Sequence, residues 1–229
     1  CPDGAVTQQP SGRNPFTDIA DGVRYVGAFP ALRRLLVSSF FVIMFGFNYV
    51  AFIPALVKDT FGLSDGYVGV LMSASAIGAV VVALWIARHA DGPRAMQLML
   101  VSGAVFGGAV VALGAAPTFW AAFAIVGAVG AGATGYQSLS NTLALSLSDE
   151  GHRGRVQSLL MLSFAGFGIA AAPLGLLAEA IGLRSAIVLM GAVTLATVIG
   201  YGLLERDVQA EIEHRMPIDE VAVTEAAAT

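Results

Sequence analysis

Residues 35–57 read LLVSSFFVIMFGFNYVAFIPALV, twenty-three positions without Asp, Glu, Lys, Arg or His. At about 1.5 Å per residue, a helix of that length reaches ~34 Å and crosses a hydrocarbon layer of about 30 Å with modest tilt. Lipid offers unpaired backbone N–H and C=O groups no partner, and the stretch lacks the alternation of a barrel strand, so continuous helix is the expected backbone. Five more runs free of charge follow at 67–87, 95–115, 118–147, 156–178 and 185–204. The expected fold is therefore an all-α membrane protein of six transmembrane helices, the fourth long enough to project past the lipid.

Composition agrees. The 229 residues are 56% hydrophobic and only 12% charged. Soluble domains carry about 25% charged residues, and half that share leaves too little polar surface to cover a water-soluble body. The lone cysteine, Cys1, excludes a disulfide framework and a thiolate metal cluster. Seven of the sixteen acids lie beyond residue 204, so the net charge of -4 belongs to the tail, and residues 205–229 read as an acidic segment with little reason to fold. Residues 1–34 read as a linker in which Phe16, Ile19, Ala20, Val23 and Val26 fall at helical spacing, a short amphipathic helix at the membrane surface that Pro30 should end. A chain opening on Cys1-Pro2 is expected to be a fragment or a processed product.

Basic residues set the orientation. Ten of the twelve Lys and Arg lie on the side carrying both termini, and only Lys58 and Arg184 lie on the other. The positive-inside bias places both termini in the cytoplasm. Six crossings require the termini on one side in any case.

Shifting the chain by 90 residues aligns Ser73 with Ser163, Gly78 with Gly168, Gly92 with Gly182 and Arg94 with Arg184. Three spans per copy put the second copy upside down, and inverted three-span repeats are a building unit of many secondary transporters.

Catalytic groups are nearly absent. His89, His152 and His214 all fall in loops or tail and read as solvated, no phosphate-binding Gly-rich loop with Lys is present, and no carboxylate pair lies inside a span. The chain is not expected to be an enzyme, and neither cofactor nor metal is implied. Gly103 and Gly107, with Gly127, Gly130, Gly132 and Gly135, keep helix surfaces bare for close packing. Pro173 should bend the fifth span, either as part of a gate or as static shape. Asn48 and Tyr49 in the first span, and Thr134, Tyr136, Gln137, Ser138, Ser140, Asn141 and Thr142 in the fourth, are polar groups that must face other helices or a cavity. They serve either as interhelical hydrogen bonds or as a substrate path. The repeat favours the path, because the first and fourth spans are the equivalent first helices of the two copies.

The run His152-Arg153-Gly154-Arg155-Val156-Gln157-Ser158-Leu159, then Ala172-Pro173-Leu174-Gly175 and Gly182-Leu183-Arg184, resembles the C-terminal half of a Major Facilitator Superfamily transporter. The opening Tyr25, Pro30, Leu32 and Arg33, with Ile53-Pro54-Ala55-Leu56 and Gly69-Val70-Leu71-Met72-Ser73-Ala74, is similar to the bacterial branch that includes the enterobactin exporter. The likeness covers roughly residues 20–205. The superfamily's loop signature of Gly, Asp-Arg and Gly-Arg is degraded here to Arg88-His89-Ala90-Asp91-Gly92-Pro93-Arg94.

The resemblance implies half of a twelve-helix fold in a bacterial inner membrane, working by alternating access with the N-terminal six-helix half as partner. It implies efflux of a small, partly apolar molecule by proton antiport, with the coupling groups outside this stretch and no nucleic acid involved. It also implies substrate contacts from Asn48, Tyr49, Tyr136, Gln137 and Asn141, and a cytoplasmic latch from Arg88, Asp91, Arg94, Arg153 and Arg155. A six-span scaffold that moves nothing, or the remnant of a truncated transporter gene, is the competing reading.

Overall fold

The computed structural model describes residues 24–89 and 94–204. The acidic tail, Asp91 and most of the N-terminal amphipathic stretch lie outside the described residues.

Six helical spans follow one another: α1 (Pro30–Thr60), α2 (Gly66–His89), α3 (Arg94–Gly114), α4 (Phe119–Ser146), α5 (Arg153–Ile181) and α6 (Leu183–Leu204). All six are long and apolar enough to cross a membrane. Pro30 opens α1 at its first turn, where its missing N–H costs no bond. The preceding helical piece, 24–28, stops at Phe29. Thr118 caps α4, its hydroxyl oxygen accepting from the Ala121 N–H at 3.3 Å. A single residue, Gly182, separates α5 from α6 at φ 89°, where a side chain would be strained. Arg184 ties the start of α6 to the end of α3 by donating to the Ala116 carbonyl at 3.0 Å.

The contacts respect the repeat. Shifted by 90, the bounds of α3 become 184–204, against Leu183–Leu204 for α6. α4 packs on α2 and α3, while α1 touches α5 and α6, and α3 crosses α6. Exchanging α1 with α4, α2 with α5 and α3 with α6 maps each of these pairs onto another or onto itself. That is the arrangement of two inverted three-helix units related by an axis through the α3–α6 crossing.

Hydrophobic burial does little to join helices in lipid, so close approach and dispersion must do it. Glycine supplies the approach. A Cβ built on Gly78 would collide with the Gly127 carbonyl of α4, and one on Gly130 with the Ser75 carbonyl of α2. At the symmetric crossing, a Cβ on Gly191 would lie 2.5 Å from the Val111 nitrogen, and one on Gly107 2.8 Å from the Leu195 nitrogen. Gly103 is closed off by Tyr136 and Val198. The Phe106 ring, fully buried, fills the space left bare at Gly46 and packs edge-on to Phe47.

α5 runs unbroken through Pro173. The irregular span is α1, which contains π-helical turns at Val42–Gly46 and Leu56–Thr60, a break at Phe47 and Asn48, and Pro54. Such turns interrupt the i→i−4 ladder and recur at functional sites.

Candidate functional site: an amide-lined crevice between α1, α4 and α5

Where α1, α4 and α5 meet they leave a crevice of ≈ 270 Å³ of empty space, its open side included, lined by Ser39, Ile43, Phe47, Tyr136, Gln137, Ser140, Asn141, Leu160 and Phe164. Its depth follows from helix arithmetic. Ser39 lies nine residues after the start of α1 and Gln137 nine before the end of α4, so both sit about 13 Å in from the same end of the bundle. That end carries Arg33, Arg34, Arg88, Arg94, Arg153 and Arg155.

The polar groups divide into two kinds. Hydroxyls are engaged within the protein: Ser39 and Tyr136 share a hydrogen bond of 3.4 Å, Ser38 and Tyr136 one of 3.5 Å, and the Ser140 hydroxyl donates to the Gln137 carbonyl at 3.4 Å. The side-chain amides of Gln137 and Asn141 are different. Four residues apart, they share one helix face, line the crevice half-buried, and have no hydrogen-bond partner among the described residues. Each amide offers a carbonyl acceptor and an NH₂ donor. Phe47 and Phe164 form the apolar back wall, their rings edge to face at 6.3 Å.

Asn48 and Tyr49 lie elsewhere. Asn48 is completely buried, its Nδ2 donating to the carbonyls of Met44 at 2.6 Å and Phe167 at 3.3 Å. It thus joins the broken middle of α1 to α5. Its Oδ1 has no partner among the described residues. Replacing Asn48 by Leu removes two bonds and one orphaned buried oxygen together, so thermal melting should report a change of about 1 kcal/mol or less. A loss above about 3 kcal/mol would mean that the oxygen is in fact paired. Tyr49 is buried against α3 and α2, edge-on to Phe106 and with its hydroxyl reaching Ser75.

Of the latch candidates, Arg88, Arg94 and Arg153 are exposed and Arg155 is half-buried. A contact not foreseen from sequence lies beside them. Tyr25 stacks on His152 with ring centroids 4.0 Å apart, donates its hydroxyl proton to Asp149 Oδ2 at 3.0 Å, and accepts from the Asp149 N–H at 3.2 Å. The expectation of a solvated His152 is corrected accordingly, since an aromatic face has displaced water from one side of the imidazole. Sequence also passed over Ser39 and the apolar lining. Depth would have found Ser39, because it lies level with Gln137 whereas Asn48 lies about 13 Å further in.

Six apolar helices in two inverted units, with an uncharged crevice opening between the first helix of each, define a polytopic membrane protein of transporter type. The sequence profile of the Major Facilitator Superfamily matches residues 35–220. The chain belongs to that superfamily and is a membrane transporter of its kind. No curated protein and no solved structure gives a match.

Proposed function

We propose that the chain is the C-terminal six-helix half of a secondary active transporter in a bacterial cytoplasmic membrane. It works with an N-terminal six-helix half, exports a small, partly apolar molecule by alternating access, and is coupled to protons through residues outside this stretch. One observation carries the substrate reading: Gln137 and Asn141, half-buried on the face of α4 that borders a crevice walled by both repeat units, have side-chain amides with no hydrogen-bond partner among the described residues. A packing role would have joined them to a neighbouring helix, as Asn48 is joined to α5. Tyr136, bonded to Ser38 and Ser39, holds the helix face beside them in place. The break in α1 beside the crevice supplies a span able to change shape. The ten basic residues on one side support termini, and a crevice mouth, facing the cytoplasm. Arg88, Asp91, Arg94, Arg153 and Arg155 are proposed to stabilise one conformation at that end by pairing with charges and helix-end carbonyls.

Single cysteines on a Cys1→Ser background test both path and orientation. In inside-out vesicles, Asn141→Cys should react with a charged, membrane-impermeant methanethiosulfonate, and Val101→Cys, exposed on α3, should not. From outside intact cells, Ser64→Cys in the α1–α2 loop should label and Gly151→Cys should not. Labelling of Gly151→Cys from outside would reverse the topology. Silence at Asn141→Cys, with Gly151→Cys labelled in the same vesicles, would remove the crevice from the transport path.

A further inference from the structure

We propose that Tyr25 is a releasable clasp: it holds the first turn of α5 against the start of α1, and when it lets go α5 swings outward about the bond from Asn48 to the Phe167 carbonyl. The proposal goes beyond the substrate reading, because it concerns how the bundle parts at its Arg-rich end, whatever the crevice admits.

Tyr25 grips both ends of one short turn. Asp149 opens the 3₁₀ turn Glu150–His152, its carbonyl accepting from the His152 N–H at 2.9 Å, and His152 leads directly into α5. The Tyr25 ring stacks on His152, while its hydroxyl donates to the Asp149 carboxylate and accepts from the Asp149 N–H. On its own side Tyr25 is seated firmly on α1. The Phe29 N–H donates to the Val26 carbonyl at 3.2 Å, the Arg33 N–H to the Phe29 carbonyl at 3.0 Å, and the Arg33 guanidinium to the Gly27 carbonyl at 3.5 Å, with Val26 buried beneath. Residues 24–41 thus form one arm. That arm is bonded to α6 by Arg34, which donates to the Leu204 carbonyl at 3.1 Å, and to α4 through Ser38, Ser39 and Tyr136. The helix left to move is α5.

A second tie gives α5 its pivot. Phe167, whose carbonyl accepts from Asn48, lies fourteen residues after Arg153, about 21 Å along the helix. Between the two ties stand Leu160 and Phe164, the α5 side of the crevice. Held at Phe167 alone, α5 is a lever, and a turn of about 10° carries its first residues ~4 Å outward. Glycine keeps the pivot bare: the Phe40 ring rests against Gly166, and a Cβ on Gly168 would meet nothing within 4 Å. The two ties differ in permanence. Asn48 is completely buried, whereas Asp149 is exposed and Tyr25 half-buried, so water can replace both hydroxyl bonds of the clasp at small net cost.

Double electron–electron resonance on the full transporter chain in nanodiscs tests the clasp. On a cysteine-free background, spin labels at Val37→Cys and Gly154→Cys read the separation of α1 from the first turn of α5. Val37 is exposed and a Cβ on Gly154 meets nothing within 4 Å. A second pair, Val37→Cys with Leu203→Cys, the latter also exposed, reads the arm against α6. Tyr25→Ala should raise the ratio of long to short distances in the first pair about tenfold. Tyr25→Phe, which keeps the stack and loses both hydroxyl bonds, should raise it about threefold. The second pair should not lengthen in either variant. Melting curves check folding, and Tyr25→Phe carries the test if Tyr25→Ala does not fold.

Two results overturn the proposal. An unchanged first pair in every folded variant would leave Tyr25 a static loop contact, even if the melting temperature fell. Lengthening of both pairs together would mean that the arm leaves the bundle while α5 stays, and that Phe167 is no pivot.

Discussion

Gly78→Ala and Gly130→Ala are each expected to cost the folded protein about 3 kcal/mol or more, while Gly168→Ala is expected to leave it unchanged. The added methyl is the same in all three. At Gly78 it would fall on the Gly127 carbonyl, and at Gly130 on the Ser75 carbonyl, so the colliding partner in each case is backbone and cannot rotate aside. α2 and α4 would have to separate along their length, losing the dispersion contacts that substitute in lipid for hydrophobic burial. Because α2 is far less buried along its length than α4, its seam with α4 is most of what holds it. Gly168 occupies the position 90 residues on, yet a Cβ there meets nothing within 4 Å. Melting followed by size-exclusion fluorescence in one detergent compares the three. An unchanged melting temperature for Gly78→Ala would mean that the seam relaxes at no cost.

That contrast marks the limit of what sequence alone discloses. Spans two to six start and end within three residues of where the loss of charge places them, because water solvates helix-end charges and lipid does not. α1 begins five residues earlier, at Pro30, since Arg33 and Arg34 can extend their charged heads back toward water while their backbone stays helical. The 90-residue repeat is visible in aligned glycines and arginines, but its two copies are not packed alike. Gly78 is pressed against α4, whereas Gly168 faces open space in the looser pairing of α5 with α1. Composition cannot foresee that difference, which depends on the neighbour and not on the glycine.

The same holds for the polar residues. Asn48 and Asn141 are the same amide in two apolar helices, and the Phe167 carbonyl opposite Asn48 is what gives that amide a bond to another helix. The π-helical turns in α1 have no plain signature beyond Pro54. Pro173, the more obvious helix breaker, leaves α5 unbroken. Tyr25 could have been placed beside Asp149 only by knowing that the segment before α1 folds over the α4–α5 loop.

Gln137→Ala and Asn141→Ala, made in the transporter with both halves present, are each expected to weaken substrate affinity about five- to tenfold and the pair about fiftyfold, with melting temperature close to wild type. The size follows from one neutral hydrogen bond per amide, worth about 1 kcal/mol net. Truncation to alanine costs affinity only if a ligand supplies the missing partner, because neither amide bonds another described residue in the empty protein. The competing account makes them interhelical bonds formed in another conformation of the transport cycle. Such bonds average about 0.6 kcal/mol in membrane double-mutant cycles, so on that account the double variant would melt lower while binding as tightly as wild type. Tyr136 is the internal control. Its hydroxyl bonds Ser38 and Ser39 and its ring closes over Gly103, so Tyr136→Phe should lower stability by about 1 kcal/mol before it touches affinity. Affinity lost at 137 and 141 with stability kept, against the reverse at 136, would separate a binding wall from a packing seam on two adjacent faces of one helix.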